Sequence, residues 1–118
     1  MYSIDRIKED VNRIEAMFQV LGEFTDGRTF VVNDIPEDRR RNYFRGRWDW
    51  CSVDFTGASM NALCRRGLAE VVKTEDYIYE RGGRKYVGTR ALYRCTGIAP
   101  SEYRATLATL VGRAIRTA

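Results

Sequence analysis

Two segments with high strand propensity flank the pair Gly82-Gly83, and they constrain the fold of this 118-residue chain more than any other feature. The first runs from Glu70 to Glu80 and the second from Arg84 to Cys95. Both contain tyrosine, valine and threonine, which favour strands. Because two adjacent glycines can both adopt positive φ, a Gly-Gly pair between such segments is typical of a hairpin turn. We therefore predict a long antiparallel hairpin over residues 69–96.

The two ends of the chain show the periodicity of amphipathic helices. From Ile4 to Leu21 the apolar residues recur in alternating steps of three and four, which predicts a helix over residues 4–22 with a narrow apolar stripe. A second apolar face follows Pro100 and predicts a last helix over residues 100–116. Two terminal helices with apolar stripes in one small domain predict a homodimer formed through them.

The middle of the chain predicts shorter elements. Residues 29–32 favour a short strand. The pattern Asp34-Ile-Pro-Glu37 combines a capping side chain, an early proline and a glutamate, so we expect a second helix to begin there. This helix would run to about Arg45, with Gly46 after its end.

The segment 47–55 contains both tryptophans of the chain and fits either a further short helix or an irregular aromatic stretch. After it, Thr56 can cap a third helix over residues 57–67. Gly67 would end this helix in the left-handed conformation that follows many helices. The chain thus predicts one domain, without linkers or repeats.

Composition excludes several classes of chemistry. The chain has no histidine, which removes every mechanism that needs an imidazole base, and it has no phosphate-binding loop or nuclease-type carboxylate pattern. Its three cysteines, Cys51, Cys64 and Cys95, contain no CxxC pair, so we expect reduced thiols rather than disulfides or a zinc site. The sequence therefore predicts a protein that is not an enzyme, with no cofactor or metal. It also lacks a membrane span or a secretion signal, which predicts a cytoplasmic location.

The positive charge lies in one half of the chain. The net charge is +4, and residues 57–118 carry eleven basic and five acidic groups, against three and five in residues 1–25. A cationic face of this kind indicates an anionic partner such as nucleic acid. A basic surface that is merely solvated is the alternative.

The step from the third helix into the hairpin, Ala62-Leu-Cys-Arg-Arg-Gly-Leu-Ala-Glu-Val71, resembles the winged helix-turn-helix superfamily, in particular small bacterial regulators of the MarR and PadR kinds. The resemblance covers roughly residues 4–96. It implies an α+β fold with about four helices and a hairpin wing, in which the helix over 57–67 reads the DNA major groove. The implied function is sequence-specific binding of duplex DNA by a transcriptional regulator, most simply a repressor. One feature departs from the family pattern, since about ten residues separate the second and third helices instead of three or four.

The candidate DNA-binding residues fall into three groups. Ser59, Asn61, Arg65 and Arg66 lie on the outward side of the third helix, where amide and guanidinium groups suit base edges and a hydroxyl suits phosphate. The hairpin tip contributes Arg81, Arg84 and Lys85, and the second helix contributes Arg39 and Arg40. For each group an ordinary role is also open. Arg66 can stabilise the end of its helix, a basic tip can be solubilising, and the arginines of the second helix can form ion pairs within it.

Two other functions remain open. The exposed aromatic residues and the unusual spacing of the helices fit a small phage or mobile-element protein that binds and inhibits a host protein, as inhibitors of bacterial defence systems such as anti-CRISPR proteins do. Stacked aromatics could also bind single-stranded RNA. A preference for single strands over duplex would distinguish this last case.

Overall fold

The structure, a computed structural model, describes residues 4–100. They form three α-helices and four β-strands, and the strands make two separate antiparallel hairpins. The predicted α+β class and the predicted long hairpin are confirmed. The predicted last helix lies outside the described residues from Ser101 onward, so the homodimer that depends on it stays a prediction.

Helix α1 spans Ile4–Val20, close to the predicted range. Its apolar stripe packs on the strands formed by residues 41–45 and 50–54 and on the helix over residues 57–65. This packing buries Val11, Ile14, Met17 and Val20. This helix therefore finds a partner for most of its stripe within its own chain. In residues 4–100, no helix is both long enough and apolar enough to cross a membrane.

Between α1 and the next helix, the chain makes two short 3-10 turns, Gly22–Asp26 and Val32–Asp34. The strand predicted over residues 29–32 is reduced to a single bridge, in which Phe30 and Tyr93 exchange backbone hydrogen bonds of 2.9 and 2.8 Å. The prediction failed beyond Phe30 because Asp34 turns the chain away from the sheet: its carboxylate accepts a hydrogen bond from the Val31 N–H.

Helix α2 begins as predicted but spans only Glu37–Arg40, so the prediction of a helix to Arg45 was wrong. Residues Arg41–Arg45 instead form strand β1. The reason is the side-chain alternation of this segment, which places Phe44 against the core and leaves Tyr43 exposed. Burial of that inner side outweighs the helix propensity of the arginines.

Strand β2 spans Trp50–Asp54 and pairs with β1, with Arg45 opposite Trp50 and Arg41 opposite Asp54. Neither form expected for residues 47–55, a helix or an irregular stretch, is present. We name this unit the short hairpin. It separates α2 from α3, so these two helices are not joined by the short turn of a helix-turn-helix unit.

Helix α3 spans Gly57–Arg65 and buries Met60, Ala62 and Leu63. Gly67 ends the turn after it with φ +74°, as predicted from the left-handed preference of glycine at this position. The chain then enters strand β3, Ala69–Arg81, which pairs with β4, Arg84–Cys95. We name the β3–β4 unit the long hairpin.

Only the base of the long hairpin belongs to the core, where Ala69, Tyr93 and Cys95 are buried. Outward from Val71, no residue of β3 is buried, and Tyr93 is the outermost buried residue of β4. Twelve residue steps at about 3.3 Å each place the tip roughly 40 Å from the end of α3. The long hairpin therefore projects from the body of the protein as a two-stranded arm.

Candidate nucleic-acid interface

The two sides of the long hairpin differ in chemistry. The strand register places one set of residues on a common side, which we name the tyrosine face. Its members are Glu75, Tyr77, Tyr79, Arg81, Arg84, Tyr86, Gly88 and Arg90. Three of these residues are cations and one is an anion, so the tyrosine face has a net positive charge.

The aromatic rings of the tyrosine face form a continuous row. The Arg90 guanidinium lies 5.3 Å from the centre of the Tyr77 ring, and the Tyr77 and Tyr79 ring centres are 5.6 Å apart. Tyr79 and Tyr86, directly opposite each other, are stacked with centres 5.5 Å apart. A Cβ atom on Gly88 would lie only 3.0 Å from the Tyr77 ring, so the glycine makes room for these rings.

At the outer end of this row, Arg81 and Arg84 are directly opposite each other across the Gly82-Gly83 turn. Neither guanidinium has a hydrogen bond or an ion pair within residues 4–100. Like charges that face each other across a sheet are unfavourable by a few tenths of a kcal/mol or more. An anion between the two side chains would remove this repulsion.

The opposite side of the long hairpin carries Asp76, Glu80 and Lys85 around an apolar pair. That pair, Ile78 and Val87, is 72% exposed at both residues. Lys85 is therefore not part of the tyrosine face, since it lies opposite Glu80 on the other side of the hairpin.

Helix α3 divides its four predicted residues into two kinds. The Ser59 hydroxyl accepts a hydrogen bond of 3.0 Å from the Thr56 N–H and so caps the helix. Arg66 donates to the carboxylate of Asp10 on α1 at 2.6 Å and to a backbone carbonyl of its own helix. In contrast, Asn61 and Arg65 are exposed and have no polar partner within the described part of the chain.

The two predicted arginines of α2 also have partners within the fold. Arg39 pairs with Glu23 at 3.0 Å, and this hydrogen bond lowers the pKa of the Glu23 carboxyl. Arg40 donates from Nε to the backbone oxygen of Ile35 at 2.9 Å. Arg39 thus links the turn at residues 22–26 to α2, and Arg40 links the segment before α2 to this helix. Of the nine predicted residues, five have side chains with no partner in the described part of the chain: Asn61, Arg65, Arg81, Arg84 and Lys85.

A second aromatic and cationic surface lies on the outer side of the short hairpin, where sequence reasoning placed no site. We name it the tryptophan face: the strand register places Arg41, Tyr43, Arg45, Trp50, Ser52 and Asp54 on this side, and we count with it the exposed loop residues Arg47 and Trp48. Arg41 forms an ion pair with Asp54 at 3.6 Å. Its aromatic side chains are 67% exposed at Tyr43, 52% at Trp48 and 59% at Trp50. The signal that could have found it is the alternation of Trp50 and Ser52 with Cys51 and Val53, which is typical of a half-buried strand.

The loop of the short hairpin is held on α1 by Asn12. The Asn12 side-chain oxygen accepts hydrogen bonds from the N–H groups of Trp48 at 2.8 Å and Asp49 at 3.0 Å. Its amide group donates to the Asp49 carbonyl and to the Cys51 sulfur. Gly46 approaches so closely that a Cβ atom there would overlap the Asn12 backbone oxygen. These contacts therefore hold the backbone of Trp48 in a defined position, while the residue stays 52% exposed.

A cleft of about 410 Å³ lies between the two hairpins. Arg41 and Asp54 line it from the short hairpin, and Tyr77 and Arg90 line it from the long hairpin. Since Arg41 belongs to the tryptophan face and Tyr77 and Arg90 belong to the tyrosine face, the cleft connects the two surfaces.

The cysteines lie away from these surfaces or are poor nucleophiles. Burial raises the pKa of the Cys95 thiol to about 11, and burial also raises the pKa of Cys64. Within the part of the chain that the structure describes, no three potential metal ligands lie together. No protein-family model, curated protein or solved structure matches this chain.

Proposed function

We propose that this protein binds duplex DNA through the long hairpin and α3, and that it acts in this way as a regulator of transcription. The observation that carries the proposal is the pair Arg81 and Arg84, two opposed guanidinium groups at the end of a projecting arm that have no partner among residues 4–100. Guanidinium groups bind phosphate oxygens through paired hydrogen bonds. A DNA backbone supplies such oxygens in a regular row.

The distance between the hairpin tip and α3 allows both to contact one DNA duplex. The tip lies roughly 40 Å from the end of α3, and one turn of DNA advances about 34–36 Å. An arm that follows the duplex axis would therefore reach phosphates about one turn away from the groove that α3 enters. At α3, Asn61 and Arg65 carry the amide and guanidinium groups that suit adenine and guanine edges.

The binding should depend strongly on salt, because Arg–phosphate contacts release condensed counterions. Each contact contributes about −0.9 to the slope of log K against log salt concentration. Removal of Arg81 and Arg84 should therefore reduce the magnitude of this slope by about 2.

The experiment is a fluorescence anisotropy titration of a labelled duplex of about 20 base pairs, two helical turns. The double variant Arg81→Gln/Arg84→Gln is compared with Lys8→Gln/Arg13→Gln, which removes the same charge from exposed positions on α1. We expect roughly a tenfold or greater loss for the tip variant and a much smaller loss for the α1 variant. Equal losses, or no salt-sensitive binding of the wild type at micromolar protein, would contradict the proposal.

A second candidate function is binding and inhibition of another protein, such as a host defence nuclease. The observation that favours it is the exposed apolar pair Ile78 and Val87 on the opposite side of the same arm. Apolar pairs of this kind occur at the centres of protein interfaces. This function requires no affinity for DNA, so the same duplex titration distinguishes protein binding from DNA binding.

A further inference from the structure

We propose that the tryptophan face binds an unpaired strand of DNA that continues, through the cleft, from the duplex on the long hairpin. The inference takes nucleic acid as the partner from the proposed function, but it concerns a different surface. It makes the substrate class more specific: a duplex with a single-stranded extension.

The first observation is that the aromatic rings of this face do not serve the core. The short hairpin packs on the body through the opposite side of its strands, where Val53 is buried and Phe44 and Cys51 are half-buried. Trp50 lies on the outer side and is more than half exposed. Such a ring contributes little to folding and presents a stacking surface to solvent.

The second observation is the sign of the uncompensated charge. Arg45 and Arg47 have no carboxylate partner within residues 4–100. The nearby Asp49 carboxylate accepts a hydrogen bond from the Trp50 N–H. Arg45 is directly opposite Trp50 in the strand register, which places a free cation next to a free ring. The face therefore complements a partner that is anionic and aromatic at short intervals, as a nucleic-acid strand is.

The third observation is that the backbone of the loop that carries Trp48 is positioned before any partner arrives. Asn12 holds the backbone of Trp48 and Asp49, and the Gln19 amide donates to the Arg45 carbonyl. Ordering of the loop is thus part of folding, and less conformational entropy is lost when a ligand binds.

The strand must be unpaired because the base faces of a duplex are covered by their neighbours. Aromatic side chains stack only on bases that are splayed out. The cleft between the hairpins, at about 410 Å³, lies in the size range of pockets that hold small molecules, which includes a single nucleotide. A strand that leaves the duplex near Tyr77 would cross this cleft past Arg41 and reach the tryptophan face.

The test uses the intrinsic fluorescence of the protein. The chain contains only two tryptophans, Trp50 on the outer side of the strand and Trp48 in the adjoining loop, so their emission reports on this part of the surface. Titration with an oligothymidylate of about ten nucleotides, close to the site size of single-strand binding modules, should quench the emission. Absence of quenching would overturn the inference, and so would tighter binding of an oligouridylate of the same length, which would indicate RNA.

The variants separate stacking from charge. Trp50→Ala should weaken binding of a labelled oligothymidylate by roughly tenfold, since one base–aromatic stack contributes about 1–3 kcal/mol. The matched control is Ile78→Ala, which removes an exposed apolar side chain from the other hairpin and should leave the affinity unchanged. Equal effects of the two variants would contradict the inference.

The double variant Arg45→Gln/Arg47→Gln keeps both rings and so does not depend on the folding of a tryptophan variant. It should reduce the magnitude of the salt slope by about 1.4, because each contact contributes about −0.7 with single strands. An unchanged slope would contradict the inference. Absence of oligothymidylate binding with intact duplex binding would refute only this inference. The reverse result would refute the proposed function and the continuity with a duplex, and would leave single-strand binding by the tryptophan face.

Discussion

The two hairpins of this protein reach similar outer surfaces by different physical routes. The short hairpin lies against α1 and buries one of its sides, with Val53 only 6% exposed. The long hairpin leaves both sides in solvent over most of its length, with Val87 at 72% exposed. Both nevertheless present tyrosine or tryptophan next to free arginine.

The two hairpins also differ in the interactions that stabilise them. The short hairpin is stabilised by burial and by the Asn12 contacts to its loop. The long hairpin depends on cross-strand pairs such as Tyr79 with Tyr86, on the Glu75–Arg90 ion pair, and on a turn whose two glycines have φ of 60° and 77°. An isolated two-stranded hairpin is only marginally stable in water. The long hairpin should therefore open locally before the body unfolds.

The largest effect that tests this comparison comes from two valine substitutions. Val53→Ala should lower the free energy of unfolding by about 2 kcal/mol, because it removes two buried methyl groups and leaves a cavity. Val87→Ala removes the same atoms from solvent and should cost less than about 1 kcal/mol, the size of a cross-strand pair. Urea unfolding followed by circular dichroism measures both. Similar losses would mean that the long hairpin is packed on the body.

Two glycine substitutions test the same comparison through close contacts, with an effect of similar size. Gly46→Ala should lower the free energy of unfolding by roughly 1–3 kcal/mol, because its Cβ would overlap the Asn12 backbone and the hairpin must shift. Gly88→Ala meets only the side chains of Tyr77 and Tyr79, which can move, so its cost should be smaller. The second substitution should instead change the near-ultraviolet circular dichroism of the tyrosines. If Gly88→Ala lowered the free energy of unfolding more than Gly46→Ala, the long hairpin and not the short hairpin would be the one packed on the body.

A last effect, confined to alkaline pH, arises at the base of the long hairpin. The pKa of Cys95 is raised by burial from 9.0 to about 11, so the folded state holds this proton more tightly than the unfolded state. The corresponding contribution to stability is fully present below pH 9 and is lost as the pH rises toward 11. Cys95→Ala should therefore flatten the decline in stability over this range, measured by thermal unfolding at several pH values. An unchanged decline would show that other groups cause it, among them Tyr93, whose pKa is also raised by burial.

The elements that the sequence predicted correctly have strong local signals. The long hairpin follows from two strand-forming segments around a Gly-Gly turn, and α1 follows from its regular apolar stripe. Helix α3 ends where Gly67 permits a left-handed turn. In each case the information lies within a few residues of the element itself.

The predicted extent of the second helix was wrong because its outcome depends on residues distant in the chain. Its start signal is correct, since α2 begins at Glu37. The segment after Arg40 nevertheless becomes a strand because it pairs with residues 50–54 and buries Phe44 and Val53 against the core. That pairing partner is itself the segment that sequence reasoning left open. The secondary structure of each of these two segments thus depends on pairing with the other, and neither segment shows it alone.

The candidate site shows the same limit. Sequence reasoning identified Arg66 as both a DNA-binding residue and a helix-end residue, and the structure gives it Asp10 as a partner 56 positions away. It gives Arg39 the partner Glu23. No local pattern separates these arginines from Arg81 or Arg84, since exposure depends on what the folded chain places beside each one.

The sequence by itself determined the elements whose signals are local: the helices at 4–20 and 57–65 and the arm that ends at Gly82-Gly83. It also determined that the excess positive charge lies in the second half of the chain. Tertiary contacts set which cations keep no partner among residues 4–100, and they place the short hairpin between α2 and α3. The physical reason is that hydrophobic burial and ion pairing act between residues that are distant in the chain, and these contacts exist only after folding.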